Sequence, residues 1–174
     1  MEEVILVNTD NKVLGYMEKM EAHEKGLLHR AFSIFIFNTK GEILLQKRAI
    51  SKYHSGGLWT NTCCSHPRKN ESFLDAANRR LSEEMGMSCV LNEVFSFIYK
   101  AELDNNLTEH EYDQVLFGTT DQIPVLNKAE AEDYKYIKPD QLKIDIHDNP
   151  SQYTEWLKIS FEKVYHLTKL KDNA

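Results

Sequence analysis

The chain has 174 residues, 41% of them apolar and 28% charged, with a formal net charge of −6. That balance excludes a disordered or fibrous chain and fits one globular domain spanning residues 1–174. Net acidity argues against nucleic acid as a partner, and no apolar run is long enough for a bilayer, so a soluble cytoplasmic protein, monomeric or weakly dimeric, is expected.

Taken in order, Val4 to Val7 and Val13 to Tyr16 flank the turn formers Asn8-Thr9-Asp10-Asn11 and read as a hairpin. Residues 18–30 read as irregular around Gly26, with His23 and His29 on either side of it. Ala31 to Phe37 and Glu42 to Arg48 make a second predicted hairpin about Asn38-Thr39-Lys40-Gly41. Ser51 to Thr60, with Lys52, His54 and Gly56-Gly57, reads as a loop that runs on into the polar stretch Thr60-Asn61-Thr62-Cys63-Cys64-Ser65-His66-Pro67.

Ser72 to Met85 is a predicted helix: Phe73, Ala77, Leu81 and Met85 recur every four residues and Leu74 broadens the stripe. Ser72 with Asp75 makes a capping box, and Gly86 is a terminator. Val90 to Lys100 and His110 to Thr120 read as strands about the turn Asp104-Asn105-Asn106, and Tyr136-Ile137 as a short strand before Pro139. A long helix from Ser151 to about Leu170 carries Trp156. This mixed order predicts an α/β fold, a mixed sheet packed between helices.

Several of these elements carry chemistry. Three cysteines, an odd count with two adjacent, favour reduced thiols over a disulfide framework. Cys64 has His66 two residues on and cations nearby, so a thiol of ordinary pKa about 8.5 is expected to act as acid or base near neutrality. Arg80 and Glu84, four apart, share a helix face beside Arg79 and Glu83; they are either a solvated ion-pair face or a metal and phosphate site. In an extended segment Glu109 and Glu111 point to one side and His110 to the other.

Glu71, Arg79 and Leu81-Ser82-Glu83-Glu84-Met85-Gly86 resemble the Nudix box, with two departures. Ser65 stands where the box has its first glycine, and Arg80 where it has a metal-gathering glutamate, which exchanges a metal ligand for a phosphate ligand. With residues 60–67 added, the chain resembles the type I isopentenyl-diphosphate delta-isomerases from about Val4 to Trp156. The resemblance implies a Nudix-like α/β/α sandwich and interconversion of isopentenyl and dimethylallyl diphosphate by a 1,3 proton shift, supplying isoprenoid biosynthesis. It also implies Cys64 and Glu111 on opposite faces of the substrate, Tyr99 beside Glu111, and Trp156 against the reacting carbons. One divalent metal is implied in His23, His29, His66, Glu109 and Glu111, a donor set that suits manganese, zinc or iron. Lys19, Arg48, Lys52 and Arg80 match the family's diphosphate-binding positions, and a magnesium ion on the diphosphate is implied at Glu84. The helix carrying Trp156 is the expected lid, while Trp59 reads as core packing. Two alternatives stand beside this: a Nudix pyrophosphatase, against which Arg80 and Cys64 argue, and a member that binds without turnover.

Overall fold

A computed structural model describes residues 1–174. The chain runs β1 (Glu3–Val7), β2 (Val13–Glu18), α1 (Lys19–Lys25), β3 (His29–Phe37), β4 (Ile43–Arg48), β5 (Trp59–Thr60), β6 (Cys63–Ser65) and α2 (Phe73–Met85). It continues through β7 (Leu91–Glu102), β8 (Thr108–Thr119), β9 (Ala131–Ile137), α3 (Pro139–Asp148) and α4 (Glu155–Asp172). No helix is long and apolar enough to cross a membrane.

The sheet is built on β3. Along its whole length it pairs in parallel with β8, from His29↔Glu111 to Phe37↔Thr119. Its other edge is shared in turn by β1 at Leu6↔His29, by β6 at Phe32↔Ser65 to Ile34↔Cys63, and by β4 at Ile36↔Leu44 and Phe37↔Ile43. The predicted hairpin of β3 and β4 therefore holds only next to its turn, and the strands then part. Buried side chains bridge the gap. Thr62 Oγ1 accepts from the Ile36 N–H (2.9 Å) and donates to the Leu44 carbonyl (2.6 Å), while Asn61 Nδ2 donates to the Ile34 and Cys63 carbonyls (3.1 and 2.9 Å). These bonds satisfy backbone groups that a ladder would otherwise pair. They also explain why residues 63–65 form a strand where a loop is expected.

Side chains alternate across β3 and so feed two cores. Phe32, Ile34 and Ile36 pack with Ala76, Ala77, Leu81 and Met85 of α2. Phe35 packs on the opposite face with Val115 and Phe117 of β8, Leu142 of α3, and Leu157, Phe161 and Val164 of α4. The result is the expected sheet between helices, with Trp59 packed against the second core.

The caps and the four-residue recurrence read for α2 hold, but not the place of Leu74. Ser72 Oγ accepts from the Asp75 N–H (3.1 Å), and Gly86 closes the helix at φ 60°. A Cβ on Gly86 would lie 2.6 Å from the Val125 carbonyl oxygen, so glycine is needed for space as well as for conformation. Leu74 is exposed, and Ala76 takes its place on the buried stripe. Replacing Ser72 with alanine should lower unfolding free energy by about 1 kcal/mol, read as a lower denaturant midpoint at unchanged slope. An unmoved midpoint would show that this cap contributes nothing.

Several expectations need correcting. Residues 19–25 are helical, opened by Glu18 accepting from the Glu21 N–H and closed by Gly26 at φ 62°. β9 is seven residues long rather than two, because pairing with β4 extends it. The long helix starts at Glu155 rather than Ser151, and residues 139–148 form a further helix, α3, with proline at its first turn. Finally, α4 is no lid: Leu157, Ser160, Phe161 and Val164 are buried, and only Trp156 at its first turn reaches the pocket described next.

Candidate active site

His23 comes from α1, His29 from the start of β3, His66 from just past β6, and Glu109 and Glu111 from β8. All five are buried, and one ligand atom from each lies within 4.8 Å of the others. His110 turns away, as strand alternation requires, and its Nδ1–H donates to the Gly26 carbonyl (2.9 Å). The backbone fixes two of the tautomers. His23 Nδ1–H donates to the Lys19 carbonyl (2.7 Å) and His29 Nδ1–H to the Leu27 carbonyl (2.8 Å), which leaves the lone pair of each ring on Nε2. Both Nε2 atoms are buried without a hydrogen-bond partner, as is Glu109 Oε2, 3.4 Å from His23 Nε2. Burial pushes His66 down to about 3 despite Glu111, which keeps the ring in the neutral form that ligates metals. Glu109 is held well below the usual carboxylate range: burial opposes ionisation, but the nearby His23 and His54 rings outweigh it. Buried polar atoms left unpaired each cost about 1–3 kcal/mol. A converging set of them, imidazoles and carboxylates together, fits a divalent cation.

Glu111 sits between two strands, with His29 as its neighbour on β3 and Tyr99 on β7. Tyr99 Oη donates to Glu111 Oε2 (2.7 Å), and His66 Nε2 lies 3.0 Å from Glu111 Oε1. Burial and the Glu111 charge hold Tyr99 far above the usual phenol range, so it keeps its proton and acts as a donor. Cys64 lines the same pocket as Glu111, Tyr99 and Trp156, while Cys63, its neighbour along β6, points into the first core. The thiol is not poised near neutrality as expected. Burial pushes it far up, Arg48 opposes, and Glu84, Glu111 and Asp113 add to the rise. His66, the expected partner of the thiol, is instead turned to Glu111.

The four predicted cations line that pocket too. Lys19 Nζ pairs with Glu2 (2.8 Å), Lys52 with Glu130, and Arg80 with Glu83 (2.7 Å), Glu84 and Glu130 (3.2 Å). Arg48 Nη2 donates to the His54 carbonyl (3.0 Å), and its guanidinium lies 5.1 Å from the centre of the Trp156 ring. The helix face of Arg80 is thus only partly solvated. Glu83 is exposed, whereas Glu84 is 4% exposed and also accepts from Gln46 Nε2 (2.9 Å). Glu84 stands outside the five-residue cluster, on the cationic side of the pocket.

Residues 27–157 match the NUDIX domain family. Isopentenyl-diphosphate Delta-isomerase 2 of Aromatoleum aromaticum is 49% identical over 163 residues, 94% of this chain and 86% of that protein. The isopentenyl-diphosphate Delta-isomerase of Pectobacterium atrosepticum is 48% identical over 164 residues, 94% of this chain and 92% of that one. The chain belongs to the isopentenyl-diphosphate Delta-isomerase family. Solved structures extend the likeness in fold alone. DR0079 from Deinococcus radiodurans superposes with a TM-score of 0.71 at 18% identity, covering 85% of this chain and 90% of that one. The MutT protein from Methanosarcina mazei gives 0.64 at 17% identity, covering 84% and 96%.

In this isomerase-family chain the structure brings in residues that sequence reasoning passed over. Glu2 and Glu130 neutralise the pocket's cations, and Asp113, buried and pushed up by burial and by Glu111, accepts from Ser33 Oγ (2.8 Å). Tyr53 and His54 complete the wall between the histidine cluster and Trp156. Nothing local marks these residues. All but Asp113 lie outside the periodic segments, and only the fold shows which of the chain's many carboxylates are buried.

Proposed function

We propose that this chain interconverts isopentenyl diphosphate and dimethylallyl diphosphate, with the reacting carbons held between Cys64 and Glu111. The observation that carries this reading is one pocket lined by a thiol, a Tyr99-bound carboxylate, an aromatic ring and four cations. A proton added to the terminal alkene carbon leaves a tertiary cation, and a proton lost from the carbon two positions away completes the shift. In the direction that consumes isopentenyl diphosphate, Glu111 donates and Cys64 accepts; in the reverse direction the roles exchange. The forward step starts from the Cys64 thiolate and the protonated Glu111 carboxyl and ends as thiol and carboxylate, and the raised proton affinity of the buried thiol favours that end state. Tyr99 keeps Glu111 oriented by donating to Oε2, the oxygen not approached by His66. The face of Trp156 stabilises the cation by about 2 kcal/mol in a desolvated site.

His23, His29, His66, Glu109 and Glu111 would hold a divalent ion, manganese, zinc or iron by donor type. When bound, such an ion supplies positive charge that tunes the proton affinity of Glu111 and fixes the carboxylate's orientation. Lys19, Arg48, Lys52 and Arg80 would hold the diphosphate, and Glu84, lining the same pocket, would hold a magnesium ion carried by it. Excluding water protects an allylic product from hydrolysis. The reading takes the enzyme as cytoplasmic, monomeric or weakly dimeric, acting on a small molecule and not on nucleic acid or a membrane.

The test is to incubate the metal-loaded protein with isopentenyl diphosphate and magnesium in deuterated water, following carbon-bound deuterium and free phosphate together. Dimethylallyl diphosphate carrying solvent deuterium, with no phosphate released, is the expected result. Phosphate without isomerisation would point to a hydrolase, and neither product would leave a binding protein.

A further inference from the structure

A fourth histidine stands against the cluster. His54 is 1% exposed, and its Nε2 lies 2.7 Å from Glu109 Oε1, a close approach off the axis of the ring N–H. It is not one of the five residues whose ligand atoms lie within 4.8 Å of one another. The two oxygens of Glu109 are thus divided. Oε2 faces His23 Nε2 at 3.4 Å and has no hydrogen-bond partner, whereas Oε1 faces His54.

The loop that carries His54 is pinned on every side. The His54 carbonyl accepts from Arg48 Nη2 (3.0 Å), the Tyr53 carbonyl from Asn105 Nδ2 (3.1 Å), and Asp104 Oδ1 from the Ser55 N–H (3.1 Å). Ser55 Oγ lies 3.2 Å from His54 Nδ1, and Ser55 adopts φ 52°, a conformation held by its surroundings rather than by preference. A hydroxyl proton given to Nδ1 leaves the ring's own proton on Nε2, the atom beside the carboxylate. On its other side the ring meets Trp156 edge-on, with centroids 5.7 Å apart.

We propose that His54 is a positioning residue for the ion cluster: it holds Glu109 Oε1, so that Oε2 stays turned toward His23 and the other ligands. The inference rests on reading the five-residue cluster as an ion site. Its place between Glu109 and Trp156 also puts His54 beside both the cluster and the ring proposed to face the cation.

The test uses the full-length protein, stripped with a chelator and titrated with manganese for affinity and with cobalt for its visible ligand-field bands. Outer partners of metal ligands typically contribute ten- to a hundredfold in affinity, so His54→Ala should weaken manganese binding by roughly that factor. His54→Gln, whose amide can donate from nearly the place of Nε2, should stay within roughly threefold of the parent protein, a rescue that a merely structural role would not give. The cobalt bands should be alike in all three proteins, because no ligand is lost. Unchanged affinity in His54→Ala, or equal loss in both variants, overturns the proposal. So does a shift of the cobalt bands, which would make His54 a ligand itself. If the parent protein takes up no ion, the reading of the cluster fails first and the inference goes with it. Should His54→Ala not fold, His54→Asn, too short to reach Oε1, provides the same contrast.

Discussion

Glu111→Gln should all but abolish isomerisation, with turnover falling by roughly 10²- to 10⁴-fold, the range that positioned acid–base groups contribute. The amide keeps the size of the carboxylate and can still accept from Tyr99 Oη, so the fold around β8 has little reason to change. What it cannot do is carry the proton to the alkene and take it back. It also removes one carboxylate from the five-residue cluster, so ion affinity should fall together with turnover. The two effects separate if deuterium incorporation is measured at ion concentrations that saturate the variant, as checked by metal analysis. A saturated Glu111→Gln enzyme working within a few-fold of the parent would remove Glu111 from the chemistry and leave it as a ligand only.

Cys64→Ala should be as damaging to turnover, again by roughly 10²- to 10⁴-fold, but with ion affinity unchanged, since Cys64 is not part of the cluster. This contrast with Glu111→Gln is the sharpest available from the geometry. The neighbouring thiol is an internal control. Cys63 is fully buried among Phe32, Leu81 and Met85, so Cys63→Ala should stay active while losing about 1 kcal/mol of stability from the lost packing. The paired assay reports turnover, ion affinity and denaturant midpoint for each variant. An inactive Cys63→Ala beside an active Cys64→Ala would move the proton-accepting group by one residue, to a side chain that faces the core.

What was legible in the sequence was local or periodic. The four-residue recurrence of α2, its Ser72 cap and its Gly86 terminator are all short-range signals, and all stand. So does the same-side placement of Glu109 and Glu111, which follows from strand alternation alone. What was hidden depends on tertiary partners. Helix α1 has only seven residues, too few to show a stripe. The strand at Cys63–Ser65 is announced by no apolar run, because it exists through β3 and through the buried Thr62 and Asn61 side chains. His54 lies in a loop with no spacing signal, and Glu130 gains its role only where Lys52 and Arg80 converge on it. The Cys64 thiol shows the same limit. Its neighbours in sequence suggest an activated group, whereas burial, invisible in the sequence, dominates its proton affinity.

The parallel pairing of β3 with β8 has a kinetic consequence. His29 meets Glu111 only after the whole intervening chain has been laid down and β8 has docked beside β3. Contacts of such long range form late and slowly, because loop closure must be completed before they are rewarded. A cation that needs all five ligands therefore recognises the native state and almost nothing before it. At a hundredfold excess over its dissociation constant it would add about 2.7 kcal/mol to global stability. Contacts absent from the transition state act on the unfolding rate, so a loaded molecule should be long-lived rather than quick to fold.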